Sequence, residues 1–328
     1  MIPNYLEKIL SIRNTLEFDS LAMEAFNYQF EILPIYQSYC RYLGIDPSKI
    51  TRPEQIPFLP IEFFKNHRLI AEGQSSQLIF TSSGTTGTIT SRHYVASRDI
   101  YHSSLLKGFQ SFYGNPSQYC FLALLPSYLE RKESSLVYMV RRLMKLSGHP
   151  ENGFYLENLE DLSLKLKSLE EQGQKTILIG VSFALLDLAE KYPMPLKHTI
   201  LMETGGMKGR RNEITRAELH GIFKPAFGLQ NIHSEYGMTE LLSQAYSAGN
   251  GLYSAPPWMK ILIRDIYDPF HYVEAGKAGG INVIDLANIY SCSFIETKDV
   301  GKLNPDNGFE VSGRFDFSDT RGCNLLVD

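Results

Sequence analysis

Residues 175–203 read KTILIGVSFALLDLAEKYPMPLKHTILME. The run Lys175–Gly180 is short and apolar, Phe183–Lys191 has helical character, and Thr199–Glu203 is apolar again. A buried strand, a helix and a second buried strand in that order predict an α/β architecture around a parallel sheet. The same alternation extends upstream. A strand is expected near Leu78–Thr81, a helix near Asp99–Tyr113 and a strand over Tyr119–Leu125, followed by helices over Ser134–Leu146 and Leu159–Gln172. After about Tyr246 the helices thin out. Met259–Arg264, Gly280–Asp285 and Ser293–Thr297 read as strands between Gly, Pro and Asn turns, which predicts a small β-rich subdomain.

At the other end, Ser20–Leu43 carries Met23, Phe26, Phe30, Ile32, Tyr36 and Tyr39 at helical spacing. Ile56–Lys65 is too rich in proline for a long helix and too apolar for a free linker, so it is expected to pack as an extended arm. The division that follows is a helical and extended arm over 1–75, an α/β part over 76–245 and a β-rich part over 246–315. A short tail, 316–328, carries Cys323.

With 328 residues, 43% hydrophobic and 21% charged, the chain has the composition of an ordinary globular enzyme. A net charge of -4 gives no bulk attraction to nucleic acid or to an anionic membrane, so any polyanion must be held by a local site. The N-terminal residues show no signal-peptide pattern, and no apolar run approaches the ~20 residues of a membrane span. A cytoplasmic location is expected. Cys40, Cys120, Cys292 and Cys323 have neither C-x-x-C spacing nor an accompanying pair of histidines, which argues against a zinc site and a disulfide framework.

Two runs carry chemistry. The first is Thr81-Ser82-Ser83-Gly84-Thr85-Thr86-Gly87, placed after the apolar Gln77–Phe80. Its glycines permit a tight turn, and its hydroxyl residues with the main-chain N–H groups can converge on anionic oxygens. The G-x-x-x-x-G-K-[ST] spacing is absent, so this is no Walker loop. Taken alone it reads equally as a flexible surface loop. The second run is His233-Ser234-Glu235-Tyr236-Gly237-Met238-Thr239-Glu240. Tyr236 can stack on a purine while Gly237 lets the backbone approach it. Thr239 can bond a phosphate oxygen, and Glu240 can hold Mg2+. The competing reading is a strand-to-helix turn with Glu240 complementing a helix dipole.

Together these runs resemble the adenylate-forming superfamily of acyl-CoA synthetases, firefly luciferase and peptide-synthetase adenylation domains. That superfamily pairs a Ser/Thr/Gly phosphate loop with a later Tyr-Gly-x-Thr-Glu. Further matches follow in order. Glu203-Thr204-Gly205-Gly206-Met207 resembles its Gly-Gly turn beside adenine. Thr297-Lys298-Asp299-Val300-Gly301 resembles its ribose-holding aspartate segment, with Lys298 where a glycine is usual. Val311-Ser312-Gly313-Arg314-Phe315-Asp316 resembles its Gly-Arg-x-Asp. The chain is most similar to the acyl-protein synthetase (LuxE-like) family of bacterial bioluminescence. That likeness rests on Ile56–Lys65, Leu124–Arg131 and Arg321-Gly322-Cys323-Asn324-Leu325-Leu326.

The resemblance implies an adenylate-forming N-terminal-domain-like fold without the usual large C-terminal lid domain. It implies a ligase that uses ATP and Mg2+ to convert a carboxylic acid, a fatty acid by the family's habit, to acyl-AMP. Thr81 to Gly87 would cradle the phosphates, Tyr236, Gly237, Gly205 and Gly206 would hold adenine, and Asp299 with Arg314 the ribose. Glu240 would hold the metal, Thr239 would serve catalysis, and Cys323 would take the acyl group as a thioester for a partner such as a reductase or carrier protein. A lid lysine is not expected here, so another cation must offset charge at the α-phosphate; Arg92 is the first choice, with His93, Lys208 and Arg210 as others. Two alternatives stay open. One is direct transfer from acyl-AMP to coenzyme A or a carrier-protein thiol; the other is a noncatalytic nucleotide-binding scaffold.

Other features weaken. Gly180-Val181-Ser182-Phe183-Ala184 sits like a nucleophile elbow, but Ala184 breaks G-x-S-x-G. His102, His149, His198 and His271 have no ligand spacing, and Phe109, Phe112 and Tyr113 read as core at helical spacing.

Overall fold

The computed structural model describes residues 2–82, 90–125, 133–205, 214–306 and 308–315. The N-terminal arm contains α1 (Tyr5–Leu10), α2 (Thr15–Ile32), α3 (Pro34–Tyr42), the two-residue β1 (Leu59–Pro60) and α4 (Phe63–Asn66). A hairpin, β2 (Leu78–Thr81) and β3 (Arg92–Val95), leads into α5 (Arg98–Tyr113). The alternating section is β4 (Cys120–Leu124), α6 (Ser135–Ser147), β5 (Gly153–Tyr155), α7 (Leu159–Glu171), β6 (Thr176–Gly180), α8 (Ser182–Lys191), β7 (Thr199–Glu203), α9 (Arg216–Phe227) and β8 (His233–Tyr236). Six strands follow: β9 (Ala245–Ser247), β10 (Leu252–Ser254), β11 (Met259–Arg264), β12 (Ala278–Asp285), β13 (Phe294–Leu303) and β14 (Phe309–Arg314).

One twelve-stranded sheet runs β11-β12-β13-β14-β10-β9-β8-β7-β6-β4-β5, with β1 alongside β13. Strands β5, β4, β6, β7 and β8 are mutually parallel, and from β9 onward the pairing turns antiparallel. The expected alternation therefore forms the parallel half. Its centre is dry: every residue of β4 and β6 is buried, as befits strands covered by helices on both faces.

Local chemistry sets the boundaries. Ser97 and Ser134 cap α5 and α6 by accepting the N–H of Ile100 and Val137. Thr215 and Glu218 form a reciprocal capping box at the start of α9, which ends at Gly228 with φ 63°. The helical pattern over 20–43 is divided by Pro34, which forces Leu33 into extended backbone (φ -113°, ψ 91°) and splits α2 from α3. Ile56–Lys65 contributes β1 and then turns helical at α4, so the arm is extended only in its first half.

One expectation needs correction. Leu78–Thr81 is a strand, but it stands outside the main sheet, in a separate two-stranded antiparallel ribbon with β3. Pairing Leu78↔Val95 through Thr81↔Arg92 brings the chain back beside itself after ten residues, so a hairpin wins over a crossover. Strands β5 and β14 and helix α9 were not anticipated. Cys40, Cys120 and Cys292 are buried free thiols, with burial pushing Cys40 and Cys120 up to about 12. Among the described residues no helix is long and apolar enough to cross a membrane.

Candidate functional site

Parallel β7 and β8 finish on the same edge of the sheet, where α/β proteins place ligands. The segment after β8 continues as a fixed turn rather than a helix. Asp285 accepts from the N–H groups of Leu242 (2.8 Å) and Ser243 (3.0 Å) and from the Ser243 hydroxyl (2.6 Å). Asn288 Nδ2 donates to the Glu240 carbonyl at 2.8 Å. Trp258 Nε1 donates to Ser104 and Ser243 Oγ at 2.9 and 3.0 Å. Buried side chains from β12 and its neighbourhood thus hold Gly237 to Gln244 in place. They satisfy the polar groups that a helix would otherwise have paired.

Tyr236, Asp299 and Arg314 come together in one hydrogen-bonded group. The Tyr236 hydroxyl donates to Asp299 Oδ2 at 2.8 Å, and Arg314 Nε donates to Oδ1 at 2.8 Å. Asp299 and Arg314 are cross-strand partners on β13 and β14, and Asp299 is 4% exposed. Thr297 supports the aspartate by accepting its N–H (3.1 Å) while donating to the Ile281 carbonyl (2.7 Å). Lys298, in the usual glycine position, points to the other face and pairs with Glu62, so the aspartate geometry survives the substitution. A carboxylate offers about four lone-pair sites; two are taken here, leaving two for hydroxyl donors.

Glu240 is buried beside this group. Burial pushes its carboxyl upward, while the Ser91 hydroxyl and the Arg314 charge favour the ionised form. Ser91 also closes the β2–β3 hairpin: Ser82 N–H donates to its carbonyl at 3.1 Å, and its own N–H donates to Ser82 Oγ at 2.9 Å. Thr81 and Ser82 stand at the hairpin mouth, and Thr81 N–H donates to the Glu133 carbonyl at 2.9 Å. Arg92, opposite Thr81, is exposed at the same mouth. His93 points the other way, fully buried against Phe64. Its Nδ1 donates to the Thr239 carbonyl at 2.9 Å, which makes Nε2 an acceptor; no partner for Nε2 is present among the described residues. Burial pushes His93 down to about 4, so it is neutral near pH 7 and supplies no positive charge.

After β7, Gly205 has φ 74°, and among the described residues nothing lies within 4 Å of where a Cβ would be. Its N–H donates to Glu203 Oε2 at 2.7 Å. Burial would raise the Glu203 carboxyl, but nearby His220, Arg216 and Ser234 hold it at about 2. His220 Nε2 is 3.7 Å away, beyond hydrogen-bond range, whereas Arg216 Nε donates to Oε1 at 2.9 Å and decides the balance.

Ser83, Gly84, Thr85, Thr86, Gly87, Gly206, Lys208, Arg210 and Cys323 lie outside the described residues. Sequence reading gave no role to Ser91, Glu203 or Arg216. Ser91 carried a signal in its place just beyond the phosphate loop; Arg216 carried none, being one charge at the start of an unanticipated helix. Gly180 serves packing: a Cβ there would strike the Leu185 side chain and the Leu124 carbonyl, and Ser182 is a buried first-turn residue. Among the described residues no group of three His, Cys, Asp or Glu is placed to hold a metal. A single carboxylate acting with substrate phosphates is the pattern for Mg2+.

No protein-family model matches the chain, and no curated protein matches it in sequence. Solved structures do. ATP-bound MatB from Rhodopseudomonas palustris matches with TM-score 0.54 and 16% identity, over 72% of this chain and 47% of that one. A 2-hydroxyisobutyryl-CoA ligase in complex with 2-HIB-AMP and CoA matches with TM-score 0.63 and 12% identity, over 94% and 70%. The amide bond synthetase McbA from Marinactinospora thermotolerans matches with TM-score 0.51 and 18% identity, over 72% and 48%. The match spans about half the length of the first and third of these proteins. At such identities the likeness is one of fold: the α/β fold of the N-terminal domains of adenylate-forming enzymes.

Proposed function

We propose that the chain is an adenylate-forming ligase that activates a carboxylic acid with ATP. The supporting observation is the meeting of Tyr236 and Arg314, at the ends of β8 and β14, with Asp299 of mid-β13, beside Glu240. A substrate carboxylate oxygen would bond to the α-phosphorus as the bond to the pyrophosphate oxygen breaks, giving acyl-AMP. Asp299 accepts the ribose hydroxyls at its remaining lone pairs. Tyr236 and Arg314 hold that carboxylate in place, and the turn at Gly205 receives adenine. Thr81 and Ser82 begin the phosphate cradle, and Thr239 bonds a phosphate oxygen. Glu240 would hold Mg2+, which supplies positive charge to the phosphate oxygens. Arg314 is three-quarters exposed (75%), and with Arg92 it is the cation the described site offers. Catalysis of this kind rests on positioning and charge.

In its finer form the proposal is acyl-protein synthetase-like. Acyl-AMP is a mixed anhydride, and the Cys323 thiolate would displace AMP to form a thioester bound for a partner protein. The acid is taken to be fatty on the resemblance of the sequence. Ordered complexes of a fold relative with 2-HIB-AMP and CoA favour, as a second reading, direct transfer to coenzyme A. The test is carboxylate-dependent ATP–pyrophosphate exchange over a panel of acids, together with labelling by radioactive acid. Wild type should exchange and Asp299→Ala should lose at least about a hundredfold, in the range for removing a charged ligand contact. Cys323→Ser should exchange but carry no covalent label. Label retained in Cys323→Ser removes the thioester step, and no exchange with any acid leaves the scaffold.

A further inference from the structure

We infer that Arg216 is a positioning residue that sets the spacing between the adenine-side turn and the ribose-side carboxylate; this rests on the nucleotide reading above. The connections are continuous. Gly205 N–H donates to Glu203 Oε2 (2.7 Å), and Arg216 Nε donates to Oε1 of the same carboxylate (2.9 Å). The other arm of the guanidinium reaches across to β14, where NH1 donates to the Val311 carbonyl at 2.8 Å. Val311 lies three residues before Arg314 on the strand that pairs with Asp299. One side chain therefore ties the turn after β7 to the strand carrying the ribose-side arginine.

The arrangement is built rather than incidental. The Glu203 side chain is 1% exposed and that of Arg216 25% exposed. The guanidinium lies over the Tyr253 ring at 5.2 Å, and Tyr253 stacks on Phe309 (5.4 Å, 26°). Tyr236 packs edge-on against both rings, at 5.9 and 5.4 Å. The aliphatic stem passes over Gly251, where a Cβ would sit 3.1 Å from Arg216 Cδ. Two of the guanidinium's neighbours, Glu203 and Tyr253, thus also touch Gly205 and Tyr236. A planar fork can serve a carboxylate and a carbonyl at once; a lysine ammonium on one flexible stem serves the carboxylate alone.

Arg216 touches none of the groups placed against the nucleotide, so its effect must pass through Glu203 to Gly205 on one side and through Val311 and β14 on the other. The decisive readout is discrimination between ATP and 2′-deoxy-ATP, which differ only in a hydroxyl within reach of Asp299. Equilibrium binding of both is measured on wild type, Arg216→Lys and Glu203→Gln, with melting temperature as the folding control. Wild type should prefer ATP. Arg216→Lys should bind ATP about tenfold more weakly and lose most of that preference, a coupling of the size seen within one contact network. Its melting temperature should stay within a few degrees of wild type, because the pairing with Glu203 survives. Glu203→Gln should move discrimination the same way by less, and it carries the test should Arg216→Lys fail to fold. Equal weakening of ATP and 2′-deoxy-ATP, or unchanged ATP binding in both variants, overturns the inference while leaving the nucleotide reading intact. No ATP binding by the wild type overturns both.

Discussion

The Tyr236 hydroxyl and Asp299 Oδ2, 63 residues apart in sequence, meet at 2.8 Å in a buried hydrogen bond. The phenol is pushed well up by burial and then by the Asp299 charge, so it stays protonated and acts only as a donor. Removing it leaves a buried carboxylate short of one partner. Tyr236→Phe should lower unfolding free energy by about 1–3 kcal/mol, the cost of an unsatisfied buried polar group. Urea denaturation checks this, and ATP affinity should fall in the same variant.

His93 predicts an acid limb. Its folded value of about 4 lies below the ordinary 6.5, so the unfolded chain takes up a proton first as pH falls. The stability this ring contributes is whole above pH 6.5 and is lost as pH drops toward 4. The loss reaches about 3 kcal/mol at the lower limit, at 1.36 kcal/mol per pH unit. His93→Asn, which can still donate to the Thr239 carbonyl, should flatten the denaturation midpoint between pH 6.5 and 4.5 relative to wild type.

Glu235 predicts the opposite slope. Burial, and then the Glu203 charge, raises it from 4.5 to about 8. The native state therefore keeps a proton that the unfolded chain has released, and the stability this provides is whole below pH 4.5 and lost as pH rises to 8. Its strand partner Tyr246 has a buried hydroxyl with no partner among the described residues. Glu235→Gln should melt above wild type at pH 8.5, with the gap closing by pH 5. Calorimetry at the two pH values decides it.

Asp285 anchors the turn after Glu240 through three hydrogen bonds to Leu242 and Ser243. Asp285→Ala orphans two buried N–H groups and a hydroxyl, and about 3 kcal/mol or more should be lost. Asp285→Asn keeps one acceptor oxygen and should lose less. If the two variants are equally stable in denaturant titration, the anchor is not what fixes the turn.

The helices and central strands were legible because their signals are local: apolar runs such as Thr176–Gly180 and helical spacing such as that of 99–113. Tyr236, Asp299 and Arg314 were legible as separate words in a familiar order. The bonds joining them depend on β14, a half-exposed strand with weak alternation that the sequence does not announce. The pairing of Arg216 with Glu203 was invisible for a related reason. Their partnership exists only after α9 folds back on β7, and one arginine in a chain of 32 basic residues carries no mark of where it will land. The β2–β3 hairpin was misplaced because a four-residue apolar strand reads alike in a ribbon or a sheet.

That hairpin has a consequence for how the protein can change. The ribbon carrying Thr81 and Ser82 shares no ladder with the twelve-stranded sheet, and it meets the turn after β8 through Ser91 and His93. The ribbon is an attachment to the large sheet, joined to it by side-chain packing and loop contacts and by no strand pairing. Its ladder can be rebuilt without breaking any strand pairing of the large sheet, but the packing of Phe80 against Tyr101 and Tyr138 and of His93 against Phe64 moves with it.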